Sequence, residues 1–231
     1  MLLPSVIAEG SVDIVFQPVF GLHGGIPRIH GYEALARFPA DAAIPAGLWF
    51  RVASDMELSR DLEITAAMRA VQAPPRMLTE SLLFLNASPP VALDLAKRVL
   101  PELSSRLVCD ISAPLVFNRA CQEFVFQLRG AGALVAIDDI PLGSLSAWHP
   151  TLTDLRPDFA KVDVISGLID DPMAQVDLAE AATWCKEWGI RLIAERVENV
   201  ADVQTLYDLG VRLVQGNSLS RPVRTGPDVD A

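Results

Sequence analysis

The residues with chemical potential in this chain stand at or near the ends of short apolar runs. Glu33 lies in one such run, Asn86 ends the next, and a third runs into Asp110. Asp138 and Asp139 end a fourth, Lys161 lies in a fifth with Asp163 just after, Glu195 and Glu198 follow a sixth, and Gln215 ends a seventh. One acid at a strand end is ordinarily a helix cap or a solvated loop residue. Repetition from run to run changes that reading, and the adjacent acids of "VAIDDI" are the sharpest case, because capping alone does not explain two acids buried after an apolar strand. Carboxylates gathered at one place repel each other unless cations neutralise them. An all-oxygen set of Asp, Glu and Asn suits hard ions, Mg²⁺ or Mn²⁺, with Ca²⁺ the alternative. No His or Cys cluster marks a zinc site. His23, His30 and His149 stand at unrelated positions and read as structural or solvated.

The elements that must position these groups are the runs themselves: Val12–Phe20, Ile29–Leu35, Leu82–Asn86, Leu107–Ile111, Leu134–Asp138, Phe159–Val162, Arg191–Ala194 and Leu213–Gln215. Most are continuously apolar rather than alternating, the pattern of strands buried on both faces in a parallel sheet. Helical patterns separate them. Leu178, Ala181, Cys185 and Trp188 form one stripe that Gly189 stops, and Asn199 can cap a helix that carries Val203, Leu206 and Leu209 inward and ends at Gly210. Leu48–Val71 reads as one further helix. Eight candidate strands alternating with helices favour an α/β fold, a single TIM-like (β/α)8 barrel, over an open doubly wound sheet. No Gly-rich loop marks a Rossmann or P-loop site. In a barrel the strand ends converge on one rim, where active sites are built.

Composition narrows the function. The chain has 231 residues, 51% of them hydrophobic, which is ample for one closed core. The predicted organisation is one barrel domain over residues 1–223 and a disordered polar tail over 224–231. A net charge of −10 argues against duplex nucleic acid or an anionic membrane as partner. It leaves room for a small anionic ligand held through bound cations. No apolar run approaches the ~20 residues of a membrane span. Three cysteines without metal spacing and no signal peptide suggest a reducing, cytoplasmic setting and buried thiols. The four tryptophans read as core or interface residues on helices.

The ordered set of segments resembles the EAL family of cyclic di-GMP phosphodiesterases. Glu33-Ala34-Leu35 stands in "GYEALARF", preceded by "FQPVF" at Phe16–Phe20. "FLNAS" at Phe84–Ser88, "AIDDI" at Ala136–Ile140, "AKVD" at Ala160–Asp163, "AERVE" at Ala194–Glu198 and "QGNSLSRP" at Gln215–Pro222 follow in family order. The resemblance implies a metal-dependent phosphodiesterase that hydrolyses cyclic di-GMP to linear pGpG through a water activated by two ions. Glu33, Asn86, Asp110 and Asp138 would hold one ion, and Asp138, Asp139 and Glu195 would help hold the second. Two ions about 3.5–4 Å apart can activate the attacking water and stabilise the leaving oxygen. Glu195 would be the general base, Lys161 would orient the water, and Gln215 would position water or a metal-bound group. Arg37 would pair with a substrate phosphate, and Gln17 and Leu35 would line the substrate groove. The resemblance also implies a homodimer formed near the fifth and sixth strands, with Trp148 a candidate for that surface, and sensory or GGDEF partner domains; the chain reads as a fragment.

Four departures from the family pattern define the alternative, a weak or inactive EAL domain serving as a cyclic di-GMP receptor or protein-interaction module. "CDISA" puts Asp110 and Ala113 where the family has two Glu residues. "DDIPLGSLSAW" replaces the family's Phe-Gly-Thr-Gly loop, with Pro141 removing one backbone donor. Arg196 stands where the family has Gly and is expected either to pair with Glu195 or to point to solvent. Asn217-Ser218 stand where an aromatic is common.

Overall fold

The computed structural model of the protein describes residues 3–39, 44–72, 80–98, 106–142, 145–164 and 171–224. Strands β1 (Asp13–His23) and β2 (Ile26–Arg37) form a hairpin, followed by β3 (Leu82–Asn86), β4 (Leu107–Ser112), β5 (Leu134–Ile140), β6 (Phe159–Asp163), β7 (Arg191–Glu195), β8 (Leu213–Val214) and a short β9 (Val223–Arg224). Strands β2 to β8 pair in parallel in sequence order, and β8 pairs back onto β1, which closes the barrel.

The sheet is not parallel throughout. β1 runs antiparallel to both of its barrel neighbours. The cause is local: Gly24 and Gly25, with φ of 62° and 81°, form a two-residue turn of the kind that reverses a strand in register, and His23 faces Ile26. β9, beyond the eight expected strands, adds to β1 at Val15 and Phe16. Arg224, placed by sequence in the tail, belongs to β9 and lies 2.9 Å from Asp13; the rest of the expected tail lies outside the described residues.

The helices are α1 (Leu3–Glu9), α2 (Ala46–Asp55), α3 (Ser59–Val71), α4 (Pro89–Arg98), α5 (Arg119–Gly130), α6 (Leu145–Leu155), α7 (Pro172–Glu187) and α8 (Asp202–Asp208). The single helix expected over Leu48–Val71 is two, because Glu57 turns into the left-handed region at φ 58° between α2 and α3. α7 buries Leu178, Ala181 and Cys185 as its spacing predicts; it ends one residue before Trp188, and Gly189 follows at φ 73°. α8 begins later than the cap at Asn199 suggested, since that side chain accepts from the Ala201 N–H in the turn before the helix. None of the described helices is long and apolar enough to cross a membrane.

Outward-facing strand residues such as Leu85, Ile111, Ile137, Val162 and Ala194 pack under the helices in one continuous core. The barrel interior has its own apolar floor: Val19, Phe84, Val108, Ala136, Phe159, Ile193 and Leu213, one from each of β1 and β3–β8. β2 contributes Gly31 at this level. A Cβ there would lie 2.9 Å from the Phe84 ring and 2.8 Å from the Leu82 carbonyl oxygen, so only glycine leaves room for the phenyl group. Phe84 and Phe159 meet edge to face at 5.1 Å, and the Arg191 guanidinium lies 3.7 Å from the Phe159 ring centroid.

A polar layer above the barrel floor

Side chains on a strand return to the same face every second residue. Two residues beyond the floor, each parallel strand therefore presents an inward polar group: Glu33 after Gly31, Asn86 after Phe84, Asp110 after Val108, Asp138 after Ala136, Lys161 after Phe159, Glu195 after Ile193 and Gln215 after Leu213. On the reversed β1 the matching residue lies two positions before Val19, and it is Gln17, opposite Glu33 in register. The apolar runs thus end where the interior changes from dry floor to polar rim.

Lys161 is the centre of this layer and is fully buried. Its Nζ lies 2.9 Å from Glu195 Oε1, 3.0 Å from Asp110 Oδ2, 3.2 Å from Asp138 Oδ2 and 3.7 Å from Glu33 Oε1. Burial alone would discharge the amine, but the four carboxylates outweigh it and hold the ammonium charged, with its pKa well above the usual value. One ammonium does not balance four acids. Burial pushes the Asp110 carboxyl up to about 8 despite Lys161 beside it. Glu195 is likewise raised well above the usual range by burial, and it shares a hydrogen bond with Asp138. Asp138 is buried too, but Lys161 and that bond outweigh burial and lower its pKa.

Amide side chains tie the remaining oxygens. Asn86 Nδ2 donates to Glu33 Oε1 at 2.9 Å, and Gln215 Nε2 donates to Glu33 Oε2 at 2.6 Å and to Gln17 Oε1 at 3.2 Å. Gln17 Nε2 in turn donates to the Ser220 carbonyl at 3.2 Å and to Asn217 Oδ1 at 3.4 Å. Two buried oxygens have no hydrogen-bond partner, Asp110 Oδ1 and Gln215 Oε1.

The donor set fits a hard divalent cation. Glu33, Asp110 and Asp138 each offer an oxygen, and these lie within 4.8 Å of one another; among the described residues no other group of three or more His, Cys or acidic side chains converges in this way. An unpartnered oxygen on a fully buried carboxylate marks capacity that the protein's own donors leave unused. Asp139 is placed differently. A register shift between Ile137 and Ile140 and a φ of 59° take it off the inward face, and its carboxylate is exposed on the cleft wall.

The cleft above the layer has a volume of about 490 Å³ and is lined by the acids Glu33, Asp138, Asp139, Asp163, Glu195 and Glu198 together with Gln17, Leu35, Arg196, Gln215 and Asn217. Leu35 also lines an adjoining hollow of about 290 Å³, walled by Phe50 and Leu85 and with Arg37 beside it. Arg37 ends β2, exposed, with Nη1 on the carbonyl oxygen of Ala36 at 3.0 Å. Arg196 neither pairs with Glu195 nor points simply to solvent: its Nε lies 3.3 Å from Asp163 Oδ1. Sequence reasoning noted Asp163 at its strand end but had no signal for this pairing. Ala113 is buried in the 3-10 turn Ala113–Phe117 that follows β4, and residues 143–144 of the altered loop lie outside the described residues. Trp148, proposed from sequence for a surface near that loop, is buried, packing at 4.8 Å from the exposed Phe117 ring.

The closed barrel is an architecture shared with solved structures. The structure aligns with the PaMucR phosphodiesterase, described as a cyclic di-GMP complex, at TM-score 0.79 and 21% identity over 96% of each chain. It aligns with the FimX EAL domain of Xanthomonas citri, also described as a cyclic di-GMP complex, at TM-score 0.80 and 19% identity, covering 96% of this chain and 92% of that one. Over 102 residues, 43% of the chain, it is 30% identical to cyclic di-GMP phosphodiesterase PdeB of Shewanella oneidensis, and the match spans only 12% of that protein. The family profile of the EAL domain matches residues 3–222. The chain belongs to the EAL domain family.

Proposed function

We propose that this barrel binds cyclic di-GMP in the cleft above Lys161 and hydrolyses one of its phosphodiester bonds to give linear pGpG. Family membership and the PdeB match support the substrate class. The observation that carries the chemistry is the convergence of Glu33, Asp110 and Asp138 with an unpartnered Asp110 oxygen. Glu33, Asn86, Asp110 and Asp138 would hold a divalent cation, Mg²⁺ or Mn²⁺. Such an ion supplies Lewis acidity toward a phosphoryl oxygen and a more acidic bound water.

The chain's own groups do the rest. The product carries a new 5′-phosphate, so water attacks phosphorus, the P–O3′ bond breaks, and the 3′-oxygen takes up a proton that balances the one the attacking water gives to Glu195. Glu195, whose Oε1 lies 2.9 Å from Lys161 Nζ on the cleft wall, would be the general base that accepts the proton of the attacking water. Lys161 holds Glu195 in place and keeps positive charge beside the developing anion. Gln215, with its Nε2 committed to Glu33 and Gln17, has Oε1 left to accept from and orient that water. Arg37 is exposed at the end of β2, open to a phosphate oxygen. Gln17 and Leu35 line the groove. The setting proposed is the cytoplasm, with sensory or GGDEF neighbours and a homodimer completing the assembly.

The test is turnover. Purified protein with cyclic di-GMP and Mg²⁺ or Mn²⁺ is expected to release pGpG on chromatography, and Glu33→Ala to release none. Nucleotide binding without product under either metal would replace hydrolysis by the receptor reading. Neither binding nor product would refute the substrate.

A further inference from the structure

The acids of the cleft stand in two tiers, each with one basic residue of the chain. The inner tier is Glu33, Asp110, Asp138 and Glu195 around the Lys161 ammonium. The outer tier is Asp139, Asp163 and Glu198, which line the same cleft together with Arg196. Arg196 Nε lies 3.3 Å from Asp163 Oδ1. The tiers differ in geometry. Oxygens of Glu33, Asp110 and Asp138 in the inner tier converge to within 4.8 Å, whereas the outer ones, among the described residues, form no such group.

The backbone makes the presence of Arg196 informative. It follows the last residue of β7 and adopts φ 56°, where glycine is at ease and a long side chain is not. Asp163, which it meets, ends β6 directly opposite Glu195 in register. A guanidinium retained at a locally unfavourable dihedral, beside an acid of the next strand, points to a use for its charge.

We propose that Arg196 is the fixed counter-cation of the outer tier, so that this cleft takes up one divalent cation, at Glu33, Asp110 and Asp138, rather than two. The inference rests on the metal-dependent reading above and specifies it. A second divalent ion among these outer acids would be repelled by the guanidinium already beside Asp163.

The experiment counts ions on the metal-free full chain by calorimetric Mn²⁺ titration, checked by native mass spectrometry. Wild type is expected to bind one Mn²⁺. Arg196→Gly and Arg196→Asn, both neutral and tolerant of the left-handed backbone, are expected to bind two, the second at least tenfold tighter than any further binding to wild type. Arg196→Lys retains the charge and is expected to remain at one. The glycine variant relieves the dihedral, so its metal-free melting temperature should not fall. Two ions on wild type would overturn this inference and leave the proposed chemistry standing, as would neutral variants that still bind one. No ion on any of the four proteins would overturn both.

Discussion

Replacing Lys161 by methionine removes the cation shared by Glu33, Asp110, Asp138 and Glu195 and leaves a side chain of similar reach. Removing one partner from a buried ion cluster typically costs about 3–5 kcal/mol, because the remaining charges stay buried without compensation. For a chain of this size each kcal/mol shifts the melting temperature by about 2–4 °C, so the metal-free variant should melt roughly 6–20 °C lower at pH 8. The pH dependence has a definite sign. Asp110 and Glu195 already have raised pKa values with the ammonium present, and losing it raises them further. Acids with raised folded-state pKa destabilise above their unfolded value, near 4, increasingly as pH rises. The deficit is therefore largest at pH 8 and shrinks toward pH 5 as Asp110 and Glu195 take up protons. Thermal melts of both proteins in chelator at the two pH values test this. A variant within about 2 °C of wild type at pH 8, or a deficit that grows on acidification, would refute the view that Lys161 holds the acid layer together.

Two further predictions concern the scaffold. Gly31→Ala drives a methyl group into the Phe84 ring and the Leu82 carbonyl and should cost about 1–3 kcal/mol in denaturant unfolding; a neutral effect would mean that the floor is loosely packed. Burial pushes the thiols of Cys109 and Cys185 up to about 12, so at pH 8 both stay protonated and should escape iodoacetamide until the protein unfolds; labelling of either in the native state, read by peptide mass mapping, would contradict their placement.

Much of the site was legible because the barrel repeats one simple relation: an apolar residue in the floor and a polar one two positions further on. That relation put Glu33, Asn86, Asp110, Asp138, Lys161, Glu195 and Gln215 within reach of sequence reading, since each interrupts or ends an apolar run. What escaped was set by the backbone or by partners distant in sequence. The reversal of β1 was encoded in Gly24-Gly25, a recognisable hairpin turn, but continuous apolar runs carry no strand direction. The break at Glu57 and the outward turn of Asp139 depend on positive dihedrals at residues other than glycine, for which composition offers no signal. Lys161 was read as a helper for water; its contacts to four carboxylates on four other strands appear only when the cylinder closes. Arg196 and Asp163 meet for the same reason, at the ends of neighbouring strands.

The reversed first strand has a mechanical consequence. Where β8 returns to β1 the backbone register is only two pairs long, Phe20 with Val214 and Gly21 with Leu213, with one more hydrogen bond from Leu22 to Arg212. Above that short join, Gln17 bonds across to Gln215 and to the Ser220 carbonyl, while Gln215 grips Glu33. The cylinder is thus stitched shut at a short join by the amides that border the acid layer, and whatever pulls on Glu33 or Gln215 also loads the joint that keeps the barrel round.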